Sequence, residues 1–388
     1  MEERRAGDHS TGTLPGAPLP AAEPDWVVYV DLDAYYVSCE LRERPDLTGK
    51  MVIVGPPPGA GPSRGVVLSA SYDARALGVR SAMPTGTASR LAPNAVWVPP
   101  DFAKYERVAR EVRVLLARFS ADVEPLSIDE AAVRVGPGPP ERARAIAERV
   151  QAALSAELHL PSSLGVATTR IVAKIATDRA KPGGIVVVPA ESVASFLAPL
   201  PVRAIPGVGP KTEALLGEAG FATIGDLAKP RPSELAKIVG SFARELSALA
   251  RGSPRETAGS YSGPRARQTD LTFPRDATRW EELAPTIAQL ANDLGNALTT
   301  DGWRYGSAGV AFRWGDFSRS SRTHALPAMA EGPDPLRDAA LRLGRELWDR
   351  TTAGGPRTVR TVSVRAERLV QRSQRQISLD EFPSPGVN

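Results

Sequence analysis

The apolar positions of this chain change period many times, and each change marks an element. Trp26 to Val30 and Val123 to Ile128 are β-type apolar runs, each followed by acids: Asp31 and Asp33 after the first, Asp129 and Glu130 after the second. Between them, Tyr35 to Arg44 reads as a short helix stopped by Pro45, and Met51 to Val54 as a buried strand. Residues 55–62, rich in Gly and Pro, can only be an exposed loop. Val66 to Ser71 and Ala95 to Val98 complete the strands of a small subdomain. Asp101 is placed to cap a helix whose Val108, Val112, Leu115 and Phe119 recur at helical spacing, and that helix is expected to pack across the sheet carrying the acids. Glu141 to Leu158 is a further helix and Leu164 to Ala167 a short strand. The next helix begins at Thr168 or Thr169 and ends at Pro182. Its apolar face is Ile171, Val172, Ile175 and Ala176, while Lys174, Asp178 and Lys181 share the other side.

Beyond Pro189 the pattern is helical to about Arg251, and a Gly-, Ser-, Pro- and Arg-rich linker follows to Arg267. The rest alternates strand, helix, strand, strand, helix, strand: Gln268 to Phe273, Trp280 to Thr300, Tyr305 to Trp314, Ser320 to Leu326, Pro335 to Thr352 and Val359 to Leu369.

Composition narrows the class. At 388 residues the chain suits two to four domains. A single cysteine, Cys39, excludes an internal disulfide framework and suits a reducing compartment. The first two dozen residues read as a disordered lead without a signal peptide, and no later run approaches a membrane span, so a cytoplasmic protein is expected. The net charge of +4 is compatible with a polyanionic partner without requiring one. His9, His159 and His324 lie far apart without cysteine companions, which argues against zinc.

Hard divalent cations want several carboxylate oxygens at one point, and paired ions can clamp the attacking and leaving oxygens of a phosphoryl transfer. Asp31, Asp129 and Glu130 could supply those oxygens; read singly, each motif is equally a strand end with solvated acids. Ile205-Pro206-Gly207-Val208-Gly209-Pro210 carries the helix-hairpin-helix signature, in which two glycines let the backbone approach a phosphate. Phe221 to Leu227 reads as the start of the next helix of that module. Arg313, Arg319 and Arg322, interleaved with Ser and Thr, line either a phosphate-facing sheet edge or a solvated strand face.

Four motifs in order, Asp31-Leu32-Asp33-Ala34-Tyr35-Tyr36-Val37-Ser38-Cys39-Glu40, Ser71-Tyr72-Asp73-Ala74-Arg75 through Pro84, Ser127-Ile128-Asp129-Glu130-Ala131 and Ala180-Lys181-Pro182-Gly183-Gly184-Ile185, resemble the Y-family translesion DNA polymerases, the bacterial DinB type above all. The likeness runs from about Trp26 to Phe382. It implies an α+β multidomain, right-hand architecture: a palm over 26–40 and 99–188, small fingers over 41–98, a helical thumb with the helix-hairpin-helix over 189–251, a linker over 252–267, a βαββαβ little finger over 268–370 and a tail over 371–388.

The resemblance also implies roles. Asp31, Asp129 and Glu130, with the Leu32 carbonyl, would hold two Mg2+ ions, or Mn2+ in their place, and Asp33 would support the site without ligating. Tyr72, Arg75 and Lys181 stand where the family contacts the triphosphate; without the resemblance, Lys181 is as readily a solvated lysine at a helix C-terminus. Tyr36 occupies the sugar-gate position. Primer-template DNA and deoxynucleoside triphosphates are the implied partners, on a monomer without proofreading. In the tail, Gln376, Leu379 and Phe382 fit the Gln-x-x-Leu-x-x-Phe type of sliding-clamp peptide. Two departures stand out. Ala131-Ala132-Val133-Arg134 follows Asp129-Glu130 where relatives carry an aromatic, an apolar residue and another Asp. Thr168-Thr169-Arg170 stands where they often have Asn and Lys. The competing readings are a non-catalytic clamp-binding adaptor related to these polymerases, and a DNA-binding module built on the helix-hairpin-helix alone.

Overall fold

The computed structural model describes residues 23–58, 64–252 and 265–372. The chain divides into two compact units, Met1–Asp46 with Asp101–Thr257 and Leu47–Pro100 with Ala258–Asn388.

In chain order, β1 (Asp25–Leu32) leads into α1 (Tyr35–Glu43), after which the chain enters the second unit with β2 (Val52–Val54), β3 (Ser69–Ala70), α2 (Tyr72–Ala76), α3 (Thr85–Leu91) and β4 (Val96–Val98). These three strands form one small sheet, β3-β2-β4. The expected strand from Val66 to Ser71 shrinks to Ser69–Ala70: Val66 makes only an isolated bridge to Pro84, because the chain bends there to meet Met83 and Pro84.

Back in the first unit come α4 (Phe102–Leu116), β5 (Val123–Pro125), β6 (Glu130–Pro137), α5 (Pro140–Leu158), β7 (Ser162–Ala167), α6 (Arg170–Ala180) and β8 (Ile185–Val188). Asp101 caps α4, its carboxylate accepting the Lys104 N–H at 3.0 Å. The sheet order is β5-β6-β1-β7-β8, antiparallel except for β7 with β8, so β1 lies at its centre. Alternation along β1 sends Val27 and Tyr29 into a core with α6, and Val30 and Leu32 toward Ala109, Val112 and Leu116 of α4. Asp31 shares the parity of Tyr29 and so faces α6.

The approach of α6 to the sheet depends on Gly165, opposite Tyr29 in β7. A Cβ there would meet the Ala173 carbonyl oxygen at 2.0 Å and the Thr177 nitrogen at 2.4 Å. Gly165→Ala is therefore expected to lower stability by about 3 kcal/mol, since backbone cannot yield as a side-chain tip can. Denaturant unfolding followed by circular dichroism checks this: an unchanged midpoint would show that α6 shifts freely.

Four helices follow: α7 (Val193–Leu197), α8 (Pro210–Glu218), α9 (Pro232–Val239) and α10 (Ala243–Ala250). The expected helix start at 221–227 is instead a turn leading into a 3-10 segment, Gly225–Ala228, tightened by the Asp226 carboxylate, which accepts from the Thr223 N–H at 3.0 Å. Helices α6 and α7 to α10 share one buried core, in which Val172 and Ile175 lie with Leu216, Leu235, Leu246 and Leu249.

The remainder of the second unit has the expected βαββαβ order: β9 (Ala266–Ala277), α11 (Trp280–Thr300), β10 (Trp303–Trp314), β11 (Arg319–Ala330), α12 (Asp334–Thr352) and β12 (Val359–Glu367), with β13 (Val370–Gln371) against the start of β10. Strand order is β11-β10-β12-β9. Ala308, Val310, Phe312 and Trp314 of β10 pack into a core with α11 and α12, so that among the described residues of this unit both helices lie on one face and the opposite face is open of helices. Among the described residues no helix is long and apolar enough to cross a membrane.

Candidate active site

Asp31 lies at the end of β1, next to its last residue, as strand-end placement expects, whereas Glu130 opens β6 instead of closing the preceding run. Ser127 is the reason: its hydroxyl accepts the N–H of Glu130 at 3.0 Å and donates to the Asp129 carboxylate at 2.6 Å, while the Leu126 N–H bonds the Glu130 carbonyl, turning β5 into β6. The hairpin sets Glu130 directly opposite Asp31 in the β1–β6 ladder, and the Leu32 N–H donates to the Asp129 carbonyl at 3.0 Å. Three carboxylates and the Leu32 backbone thus converge on one end of the central strand.

Two lysines, Lys174 of α6 and Lys181 just after its end, balance these charges. Lys181 Nζ is 2.6 Å from Asp31 Oδ2, and Lys174 Nζ is 2.6 Å from Glu130 Oε1 and 3.1 Å from the Tyr29 hydroxyl. Burial raises the Asp31 carboxyl above the usual range, the Glu130 and Asp129 charges add to the rise, and Lys181 opposes it. Burial acts the same way on Glu130, but Lys174, with hydrogen bonds from Tyr29 and Asp31, outweighs it and holds that carboxyl low. The donors are hard oxygens without a histidine or thiolate among them, a set that fits magnesium. As the side chains stand, no three acids among the described residues gather closely enough to hold one ion. Asp31 and Glu130 are each turned onto a lysine, and a bound cation would take over charge that the lysines now carry.

Asp33 acts as support. Its carboxylate accepts from the Ser163 hydroxyl at 2.9 and 3.0 Å and from the Gly183 N–H at 2.9 Å, so it ties the end of β1 to β7 and to the turn that follows Lys181. Tyr36 stands beside this cluster, its ring 4.8 Å from that of Tyr105 in an edge arrangement. Burial raises its hydroxyl and the Asp129 charge raises it further. Tyr35 points elsewhere: it is buried, and its hydroxyl donates to the Tyr105 carbonyl at 2.6 Å.

Tyr72 and Arg75 lie on α2 of the second unit, where the guanidinium stacks 5.1 Å from the tyrosine ring and Nε donates to the Ala70 carbonyl at 2.9 Å. Gly207 takes φ +93°, with a Phe242 ring atom 3.4 Å from where a Cβ would sit, and Gly209 is the N-cap of α8. Arg313 and Arg319 are cross-strand partners on the open face of the β9–β12 sheet. Arg322 does not join them. It pairs with Val310, whose side chain faces the helices, and its Nε bonds Glu346 Oε2 of α12 at 2.8 Å. The two-residue alternation of a strand separates positions 319 and 322 onto opposite faces. Gln376, Leu379 and Phe382 lie outside the described residues.

Sequence reasoning missed Lys174, Tyr29 and Arg365 as members of these surfaces. Lys174 stands seven residues before Lys181, two turns along one helix face, and Tyr29 two residues before Asp31 on one strand face; both spacings were available. Arg365 faces Gly309 across β10–β12 and so joins Arg313 on the open sheet face, which needed the register.

Residues 30–178 match the impB/mucB/samB family, residues 268–379 its C-terminal domain and residues 190–221 the IMS family HHH motif. The chain belongs to this family and is a DinB-type translesion DNA polymerase of the Y family. It is similar to a DNA polymerase IV of Methanoculleus marisnigri, 38% identical over 357 residues that cover 92% of this chain and 98% of the relative. Among solved structures, a Y-family DNA polymerase chimera, Dbh-Dpo4(243-245)-Dbh, superposes with a TM-score of 0.81 at 26% identity, covering 89% of this chain and 99% of the chimera. An insertion ternary complex of Dbh DNA polymerase gives 0.65 at 27% identity, with the same coverage.

Proposed function

We propose that this polymerase extends a primer on template DNA by nucleotidyl transfer from deoxynucleoside triphosphates, at low fidelity and without proofreading. The observation that carries this reading is the Asp31–Glu130 pair on the central ladder with Asp129 beside it, each strand fixing one side of a single carboxylate cluster. Polymerases of this family depend on divalent metal. Here Asp31, Asp129 and Glu130, with the Leu32 carbonyl, would hold two Mg2+ ions, which when bound polarise the primer 3′-hydroxyl and neutralise the charge of the triphosphate and leaving pyrophosphate. Lys181 would exchange Asp31 for a triphosphate oxygen when nucleotide arrives, and Tyr72 with Arg75 are assigned triphosphate contact by the family resemblance, the guanidinium supplying forked donors. Tyr36 would lie under the deoxyribose and overlap a 2′-hydroxyl. An adaptor without catalysis has no need of the three acids and is not favoured. The direct test is metal-dependent primer extension on undamaged and lesion-bearing templates; no incorporation under either condition overturns the reading.

We assign 26–40 and 99–188 to the palm, 41–98 to the fingers, 189–251 to the thumb and 268–370 to the little finger. DNA is held through its backbone, by the N–H groups at the start of α8 that Gly207 and Gly209 leave open, and by the polar sheet face carrying Arg313 and Arg319. Affinity is expected to fall steeply with salt and to vary little with sequence. Arg313→Ala and Arg319→Ala should each reduce the slope of log K against log salt by about 0.9, the loss of one phosphate contact, whereas Arg322→Ala, removed from that face, should leave it unchanged. Equal slopes in all three, measured by fluorescence anisotropy, would exclude this face.

The tail is assigned to a sliding clamp, Gln376 in a small polar pocket and Leu379 with Phe382 in an apolar groove. Burying two such side chains contributes on the order of 3 to 5 kcal/mol before ordering costs, a modest affinity that suffices when DNA threads the clamp and raises the local concentration of the tail. Changing Gln376, Leu379 and Phe382 together to Ala should leave clamp-free extension unchanged and remove stimulation by added clamp. A triple variant stimulated like the wild type would strike out the assignment.

A further inference from the structure

Within the first unit, between the α6 face of the sheet and helices α9 and α10, lies a cavity of about 770 Å3. That volume falls in the range of small-molecule sites, and its walls combine the apolar Leu126, Ile171, Pro206 and Leu249 with a surplus of positive charge. Arg170, Lys174, Arg244 and Arg251 line it against one acid, Glu245. Three of these cations are committed: Arg170 to Glu124 at 2.6 Å, Lys174 to Glu130 at 2.6 Å, and Arg251 to the carbonyls of Ala228 and Pro230 at 3.3 and 3.0 Å. Arg244 makes no hydrogen bond or ion pair with any described residue. Two hydroxyls in the lining, Thr169 Oγ1 and Ser247 Oγ, are buried without a partner among the described residues, and Ser247 is only 1% exposed. Buried polar atoms of this kind are rare in a folded chain and ask for an explanation. Ser247 stands three residues after Arg244, the spacing that sets two side chains side by side on a helix.

We propose that this cavity is a binding site for a small amphipathic anion, a flat apolar body carrying one carboxylate, sulfonate or phosphate group. The anion takes the unpaired Arg244 guanidinium and the Ser247 hydroxyl, and the apolar body lies against Leu126, Ile171 and Leu249. Its occupant also borders Tyr29 and Lys174, the two groups that hold Glu130, so binding reaches the carboxylate cluster from behind.

The probe is 8-anilinonaphthalene-1-sulfonate, titrated into the full chain and followed by fluorescence, a readout that does not depend on polymerase activity. One saturable site is expected, with the uncharged N-phenyl-1-naphthylamine binding at least about tenfold more weakly because it lacks the charge-assisted hydrogen bond. Arg244→Glu, at an exposed position that leaves the core intact, should weaken the sulfonate by at least about tenfold on the same ground and leave the neutral analogue unaffected. Ala248→Trp, which fills the cavity, should remove both. Absence of a saturable site, or binding to both variants equal to the wild type, overturns the proposal. So does displacement of the probe by primer-template oligonucleotide at matching stoichiometry, which would give the cavity to the DNA path.

Discussion

Glu130→Gln is expected to lower primer extension by at least about a thousandfold, the loss of about 4 kcal/mol of transition-state stabilisation that goes with removing one anionic metal ligand. The substitution keeps the shape of the side chain, its place opposite Asp31 and an oxygen that can still accept from Lys174. Folding and DNA binding should therefore survive, because the proposed DNA contacts lie on α8 and on the β9–β12 sheet. Asp129→Asn should behave alike, and retention of its Ser127 bond preserves the turn between β5 and β6. Thermal melting and anisotropy on the same preparations separate lost chemistry from lost structure. Extension at the wild-type rate in either variant would remove these acids from the reaction.

Tyr36→Ala should raise ribonucleotide incorporation relative to deoxyribonucleotide by about ten- to a hundredfold, since overlap with a fixed ring costs about 1–3 kcal/mol and each 1.4 kcal/mol is a factor of ten. The ring is held against Tyr105, so it cannot swing aside to admit a 2′-hydroxyl without breaking that contact. Its neighbour supplies the control, in a particular form. Tyr35 is buried and bonded to the Tyr105 carbonyl, so Tyr35→Ala would open a cavity beneath the gate, whereas Tyr35→Phe loses only the hydroxyl. Single-nucleotide incorporation with matched ribo- and deoxyribonucleotides decides the matter. Unchanged selectivity in Tyr36→Ala would move the gate to another residue.

The elements were legible wherever apolar periodicity ran long. The helices read as Trp280 to Thr300 and Pro335 to Thr352 and the succession of strands around them follow from spacing alone, and the family likeness singled out the acids and Lys181. What the sequence hid was set by register and by turns. The Ser127 hydroxyl bonds that turn one apolar run into a hairpin join residues two and three apart, and nothing in composition distinguishes that serine from a solvated one. Arg322 reads as a companion of Arg319 until the pleat separates them. Lys174 reads only as part of the polar side of its helix until that helix is laid on β1 and its charge is found against Glu130.

The core that α6 shares with α7 to α10 bears on how this enzyme can be taken apart. The sequence suggests a seam near Pro189, yet Val172 and Ile175 on one side of it are covered by leucines from the other. A fragment cut at that seam would bare a continuous oily surface on each piece. Anyone exchanging the segment beyond Pro189 must carry the helix Arg170–Ala180 along with it, and with that helix and the residue that follows it go Lys174 and Lys181, which hold Glu130 and Asp31. In this chain the helices beyond Pro189 and the lysines that set the charge at Asp31 and Glu130 are inherited as one piece.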